Sequence, residues 1–328
     1  PERTAPPEVP HTTQGSEDTM DRRTIILQGI EKAGSRGVEI GPFFSPMAPK
    51  KDGWNTVVID FTDGEELRRI ASQHPSEAMQ KMAVNIEDVD VVWQGQPIDE
   101  AVAAKFGTGM DYVIGSHTVE HMVDLLGFFK SVAALLRTGG VLALAVPDLR
   151  YTFDFFRNPS TIGQVLAVHR RGDRRHASET LFETISHSTN VKGVGCWMPG
   201  TYMPEINLAS TLEHAWKCYQ DDLGREKYID CHAWYFTPSS FQLLVHELYH
   251  LGQIDLRVKH VSTAADHNTG SEFLVQLEKV ERGEPAHAGD VERIRKELLL
   301  GMIAELSERA VNLGMATFKL HPGLRAVG

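Results

Sequence analysis

The sequence predicts an α/β fold: a Rossmann-like doubly wound sheet with a cap subdomain inserted into it. Three observations carry this. Short segments rich in Val and Ile alternate with helical patterns between residues 37 and 147, the rhythm of a parallel sheet with crossover helices. One of them, 141–146, is apolar throughout, as a strand covered on both faces must be. Residues 149–232 then break the rhythm with aromatics, His and Arg before it resumes near 237. At 328 residues the chain exceeds the needs of one ordinary domain, which suits a sheet carrying an insertion.

The elements follow in order. Residues 1–21 hold four prolines and almost no apolar periodicity, so a flexible tail is expected. A helix suits 21–33. Strands are expected at 38–41, ending in Gly41; at 56–60, ending in Asp60; and at 89–93 and 111–116, with helices at 64–72 and 97–106 between them. From 119 to 136, Val123, Leu126, Phe129, Val132 and Leu136 recur on one stripe, a helical pattern that Gly139 and Gly140 stop. Beyond the insertion, Ser239 or Ser240 can cap a helix that ends at Gly252. Two closing strands are expected at 254–262 and 271–278, then an amphipathic helix at 290–313 with Ile294, Leu298, Met302, Leu306 and Ala310 as its stripe. The chain thus divides into a tail (1–21), a core (22–150), a substrate-binding cap (151–232), the end of the core sheet (233–282) and a C-terminal helical region (283–328).

Composition narrows the function. Hydrophobic residues at 41% and charged residues at 23% exclude wholesale disorder. Lys and Arg number 33 against 44 Asp and Glu, a net charge of −11. That field repels a phosphate backbone, so no nucleic-acid partner is expected. The only basic patch, 169–176, reads as a solvated loop. No stretch approaches the ~20 apolar residues of a membrane span, and no charged start precedes an apolar signal core. Cys196, Cys218 and Cys231 are sparse and lack CxxC spacing, which fits a reducing compartment and a cytoplasmic location. The chain begins at Pro1 rather than Met, leaving open that it belongs to something longer. A small molecule is the expected partner.

In an open parallel sheet, ligands sit beyond the carboxyl ends of the strands. Those ends carry Glu39, Gly41 and Pro42, then Asp60, then Trp93 and Gln94, then Ser116 and His117. An acid placed like Asp60 can accept both hydroxyls of a ribose. A dinucleotide would require GxGxxG, whereas Gly41 is followed by Pro42, Phe43, Phe44 and Ser45. No diphosphate cradle is present, so a nucleoside without phosphates fits better. S-adenosylmethionine is such a ligand.

With these residues, 48–53, Gln94-Gly95, 116–121, 136–147 and 232–238, the chain resembles class I S-adenosylmethionine-dependent methyltransferases. It is similar in particular to bacterial methyltransferase-domain proteins associated with glycan or natural-product biosynthesis. The resemblance spans roughly 37–157 and 230–280. It implies that Glu39, Gly41 and Pro42 line the methionine moiety and that Asp60 holds the ribose. Trp93 and Gln94 would flank adenine, with Ser116 and His117 at the sulfonium end. Phe43, Phe44 and Ser45 depart from the two further glycines that many relatives carry.

The run His117-Thr118-Val119-Glu120-His121 matches HxxEH and would set two histidines on one helical face. It also resembles the ExxEH turn at which some S-adenosylmethionine enzymes bind a divalent ion. That makes His117, Glu120 and His121 candidate metal ligands and leaves the ion open, since His117 replaces the first Glu. His117, His121 and His232 are the candidate catalytic groups, and a histidine base implies a shoulder in turnover near an imidazole pKa. Asp148, Tyr151 and Trp234 are the candidate substrate contacts. The cap adds His169, His176, His187 and His214 with Arg157, Arg170, Tyr202 and Trp216, side chains suited to a sugar or polyhydroxylated aromatic.

A second pattern, His246-Glu247-Leu248-Tyr249-His250, matches the HExxH of zinc hydrolases. Gly252 and Leu256 break its usual continuation, leaving Glu272 as a loosely spaced third ligand. The expected activity is methyl transfer from S-adenosylmethionine to an oxygen or nitrogen of a small polar substrate. A zinc hydrolase using His246, Glu247 and His250, or a non-catalytic module of the same fold, are the alternatives.

Overall fold

The computed structural model describes residues 21–201, 206–225, 227–267, 270–283 and 287–313. The expected tail and Tyr202 lie outside the described residues. Five parallel strands form most of one sheet: β1 (Gly37–Ile40), β2 (Thr56–Asp60), β3 (Val91–Val92), β4 (Met110–Ser116) and β5 (Leu136–Pro147). The cap contributes a separate antiparallel pair, β6 (Thr189–Val191) and β7 (Ile206–Leu208). The main sheet then closes with β8 (Leu256–Ser262) and β9 (Glu272–Lys279), β9 running antiparallel to both neighbours. Its order is β3-β2-β1-β4-β5-β9-β8, the doubly wound Rossmann-like sheet that the sequence predicts.

Eleven helices are described, beginning with α1 (Arg22–Ile26), α2 (Gly64–Ser72), α3 (Glu77–Met82), α4 (Ile98–Phe106) and α5 (Leu125–Leu135). The cap holds α6 (Ile162–Arg171), α7 (Ser178–His187) and α8 (Leu212–Asp222). After it come α9 (Pro238–His250), α10 (Ala264–His267) and α11 (Ala288–Asn312).

The apolar strands are apolar because both faces are covered. On β5, Leu142, Leu144 and Val146 enter a core with Phe129, Phe236 and Phe241, while Ala143 and Ala145 pack with Tyr112, Ile25 and Ile26 on the other face. Side chains alternate across a strand, so each face receives every second residue. Tyr112 is fully buried and its hydroxyl lies 2.7 Å from Thr56 Oγ1. A Cβ on Gly37 would land 2.2 Å from that ring. Gly37→Ala is therefore expected to destabilise the fold by about 3 kcal/mol, the upper range of overpacking costs, read as a lowered urea midpoint.

Several expectations change. The helix expected at 21–33 is confined to α1. The pattern at 119–136 splits: Val119–His121 is a single 3-10 turn, and α5 begins at Leu125 because the Asp124 side chain accepts the Gly127 amide. His117 and His121 consequently do not share a helical face. Neither Ser239 nor Ser240 is the cap of α9; Thr237 is, with Ser240 completing a capping box and Pro238 in the first turn.

Among the described residues of α11 none is fully buried; of the expected stripe, Leu298, Met302 and Leu306 are half-buried and Ile294 and Ala310 exposed, so apolar burial alone does not seat the helix. Polar contacts hold it as well. Glu305 accepts from the Ser239 amide and hydroxyl, Glu308 accepts from Arg150 and Tyr151, and Arg309 donates to the carbonyls of Phe155 and Arg157. The basic patch is folded in part: Arg175 pairs with buried Asp222, and His176 is buried. All three cysteines are free thiols. Among the described residues no helix is long and apolar enough to cross a membrane.

Candidate active site

Register places four strand ends in a row. Ile40 stands opposite Ile59 on one side and Gly115 on the other, and Asp60 stands opposite Val92. Gly41, Asp60, Trp93 and Ser116 therefore line one edge of the sheet. Three steps of about 4.8 Å give this row a length of roughly 14 Å, enough for an extended nucleoside bearing an amino-acid tail. Gly41 has φ +59°, and the position a Cβ would take is open, so its backbone can approach a ligand. Phe43 has a left-handed φ of +46°. The loop is pinned by Phe44, buried against Leu67, Ala71 and Ile86, and Pro42 is buried as well.

Glu39 differs from expectation. Its Oε1 accepts the Met47 amide at 2.6 Å and its Oε2 the Ala48 amide at 3.0 Å. Burial pushes its pKa up to about 7 against the opposing effect of those two amides. Glu39 thus closes the loop after β1. Asp60 is buried at the end of β2, where Oδ1 accepts the Phe61 amide. Trp93 Nε1 donates to the Gln96 carbonyl, and the Gln94 amide to Gln96 Oε1, around Gly95 at φ +89°.

At the other end of the row, Ser116 Oγ accepts from Arg22 Nη2 at 2.6 Å. The same guanidinium grips both oxygens of Glu272, at 2.5 and 3.0 Å. His117 Nε2 meets Glu272 Oε2 at 2.8 Å. Burial alone would raise the Glu272 pKa, yet Arg22 and His117 hold it well below the carboxylate range. His117 carries a strained φ of +51°, a conformation that clusters at functional sites.

Beside His117 lies a buried carboxylate ringed by imidazoles. Glu120 is 1% exposed and neither oxygen has a hydrogen-bond partner. His117 Nδ1 stands 3.5 Å and His121 Nε2 3.8 Å from Glu120 Oε1. His232 comes edge-on to His121, ring centres 4.8 Å apart. Each imidazole has a carboxylate on its far nitrogen: Glu272 for His117, Asp230 at 3.0 Å for His121, and Asp154 at 2.6 Å for His232. Burial opposes the charge on His232, but Asp154 carries its pKa up to about 9. An ordinary imidazole shoulder in turnover is therefore not expected from His232.

One ligand atom each from Glu120, His121 and His232 falls within 4.8 Å of the others. A divalent ion fits this set. The buried Glu120 carboxylate has no hydrogen-bond partner, and metal-bound histidines commonly donate their second nitrogen to a carboxylate, an arrangement that His121 and His232 have with Asp230 and Asp154. The expected trio changes by one member: the ligand atoms that come together belong to Glu120, His121 and His232, with His232 in place of His117.

A methyltransferase-domain family model matches residues 29–213, more than half of the chain. The chain belongs to that family. It is a methyltransferase-domain protein. Similar solved structures include the CcbJ methyltransferase from Streptomyces caelestis (10% identity, 79% of this chain and 94% of that one, TM-score 0.39). Others are S-adenosylmethionine-dependent methyltransferases from Methanosarcina mazei (12%, 80% and 100%, 0.38) and Mesorhizobium loti (13%, 76% and 93%, 0.35). No curated protein matches the sequence.

Other expected positions of the methyltransferase serve the fold. Asp148 is fully buried and chelates Arg150. The Tyr151 hydroxyl donates to Glu308, and Trp234 Nε1 to the Met122 carbonyl within the core. These three side chains spend their polar atoms on partners within the fold. In the HExxH run, His246 Nε2 lies 3.0 Å from the Val291 carbonyl and Glu247 pairs with Arg295, both joining α9 to α11. Glu272, its expected third ligand, belongs to Arg22 and His117. Among the cap residues, His169 meets Asp124, His187 meets Arg157, and His214 faces Cys218. His176 reaches the Tyr228 hydroxyl, which donates to Asp230, and so borders the cluster. Sequence reasoning missed Arg22, Asp154, Tyr228 and Asp230; no spacing signal marks them.

Proposed function

We propose that the methyltransferase moves the methyl group to an oxygen or nitrogen of a small polar acceptor, a sugar or natural-product intermediate seated beneath the cap. The observation that carries this is the continuity of the row with the cluster: Ser116 ends the row, and the next residue, His117, enters the ring of imidazoles around Glu120. Cofactor and acceptor would meet at that step.

The reaction is an in-line displacement. The acceptor's lone pair attacks the methyl carbon as the carbon–sulfur bond breaks, and neutral S-adenosylhomocysteine leaves. Sulfonium is already a good leaving group, so the protein's work is alignment and removal of water. Glu272 at His117 Nε2 would hold the neutral ring with its Nδ1 lone pair on the side of Glu120, which would make His117 the base for the acceptor's proton. A divalent ion on Glu120, His121 and His232 would supply a Lewis acid that lowers the pKa of an acceptor hydroxyl. Asp60 would accept from the ribose, with Trp93 and Gln94 beside the adenine.

Calorimetric titration with S-adenosylhomocysteine tests the reading. The wild type is expected to bind it, and Asp60→Ala to bind about 10- to 100-fold more weakly, the loss of hydrogen bonds to a charged group. Equal affinity in the two proteins would remove Asp60 from the cofactor site.

A further inference from the structure

We infer that a cavity at the turn between α6 and α7 seats a phosphate group, with Arg174 and Arg175 as its donors, so that the acceptor approaching the imidazole cluster carries such a group. This deepens the reading of the acceptor and rests on it for the link to methyl transfer. The cavity has a volume of about 440 Å³, and Arg171, Asp173, Arg174, Arg175, His176 and Glu179 line it. That volume lies within the range of small-molecule sites. In a chain of net charge −11, four arginines fall within residues 170–175. Such a local concentration of one sign draws an anion toward it.

The arginines are not equivalent. Arg171 donates from two nitrogens to Asp173, at 2.9 and 2.6 Å, and that pair neutralises itself. Arg175 donates from Nη1 to Asp222 Oδ2 at 2.8 Å, where the Ser178 hydroxyl also bonds at 2.7 Å. Asp222 is buried, so Arg175 is anchored through one N–H, and its others make no further hydrogen bond among the described residues. Arg174 is exposed and has neither hydrogen bond nor ion pair among the described residues. Guanidinium forks bind phosphate bidentately, and two of them on one cavity suit its several charged oxygens. His176 joins the cavity to the cluster: its Nε2 lies 3.3 Å from the Tyr228 hydroxyl, which donates to Asp230, the partner of His121. Burial pushes the His176 pKa down to about 4, so the arginines supply the charge. Glu179, in the first turn of α7, opposes them.

The probes are glucose 1-phosphate and inorganic phosphate, titrated calorimetrically into the full chain at constant ionic strength with S-adenosylhomocysteine saturating. The wild type is expected to bind both, the sugar ester about fivefold or more tightly, since its ring adds contacts that a free anion lacks. Arg174→Met should weaken both about tenfold, as loss of a charge-assisted fork would. Arg174→Lys should recover part of that loss, and Glu179→Gln should tighten both by about two- to fivefold by removing a like charge. Both positions are exposed, so urea midpoints equal to the wild type's report that the variants are folded. No saturable binding by the wild type, equal affinity in wild type and Arg174→Met, or weaker binding by Glu179→Gln would each overturn the inference. Equal affinity for the two probes would mark a site for free anions and remove the acceptor from it. Displacement of either probe by S-adenosylhomocysteine would place the anion in the cofactor row and overturn the assignment. If the wild type fails to bind S-adenosylhomocysteine, the cofactor reading falls, while the phosphate titrations still decide the cavity.

Discussion

Glu120→Gln is expected to abolish divalent-ion binding at the proposed site and to cost about a hundredfold or more in turnover, with S-adenosylhomocysteine affinity within twofold of the wild type. Glutamine keeps the size of the side chain and removes the negative charge that the His121 and His232 nitrogens surround. A neutral amide is a poor ligand for a divalent cation beside two imidazoles. Elemental analysis of purified protein reads the first effect and initial rates the second. The outer carboxylates give a graded companion: Asp154→Asn, which disturbs His232 without touching the ligand atoms, should cost about 10- to 100-fold. A variant that loses turnover while the wild type carries no stoichiometric ion would leave Glu120 with an acid–base or orienting role. Undiminished turnover would end the assignment of the whole cluster.

The second large effect is on stability, at Glu39. Its carboxyl rises from 4.5 to about 7 on folding because burial disfavours the charge. Between those values the folded chain holds a proton that the unfolded chain has released. The linked stability is therefore greatest at low pH, declines as pH climbs toward 7 and is level above it. The span corresponds to about 3 kcal/mol at about 1.4 kcal/mol per pH unit. Glu39→Gln has no such proton to lose. The difference in urea unfolding free energy, wild type minus variant, should thus fall by about 3 kcal/mol from pH 4.5 to 8. A difference that stays flat would show the carboxylate to be ionised in the fold across this range, held by the Met47 and Ala48 amides.

Parts of this molecule are written locally and parts are not. β2 and α2 appear residue for residue where pattern places them, since β2 is buried throughout and the Asp63 side chain starts the helix by accepting the Glu66 amide. The run at 119–136 misleads because its apolar spacing continues through Asp124, and only the side chain's bond to the Gly127 amide reveals a start there. The row of strand ends is legible because one parallel sheet orders it. The cluster is not. His117, His121 and His232 find Glu272, Asp230 and Asp154 at separations of 155, 109 and 78 residues, pairs that exist only after the sheet has closed. Asp148, Tyr151 and Trp234 stand in the anticipated neighbourhood, but neighbourhood does not say which way a polar atom turns.

The polar seating of α11 has a consequence for biosynthesis. Arg150 and Tyr151, at the root of the cap, both bond to Glu308, more than 150 residues later in translation. A nascent polypeptide can assemble β1 to β5 while still tethered to the ribosome. It cannot lock the base of the cap until the helix carrying Glu308 has emerged, so the cap is secured last.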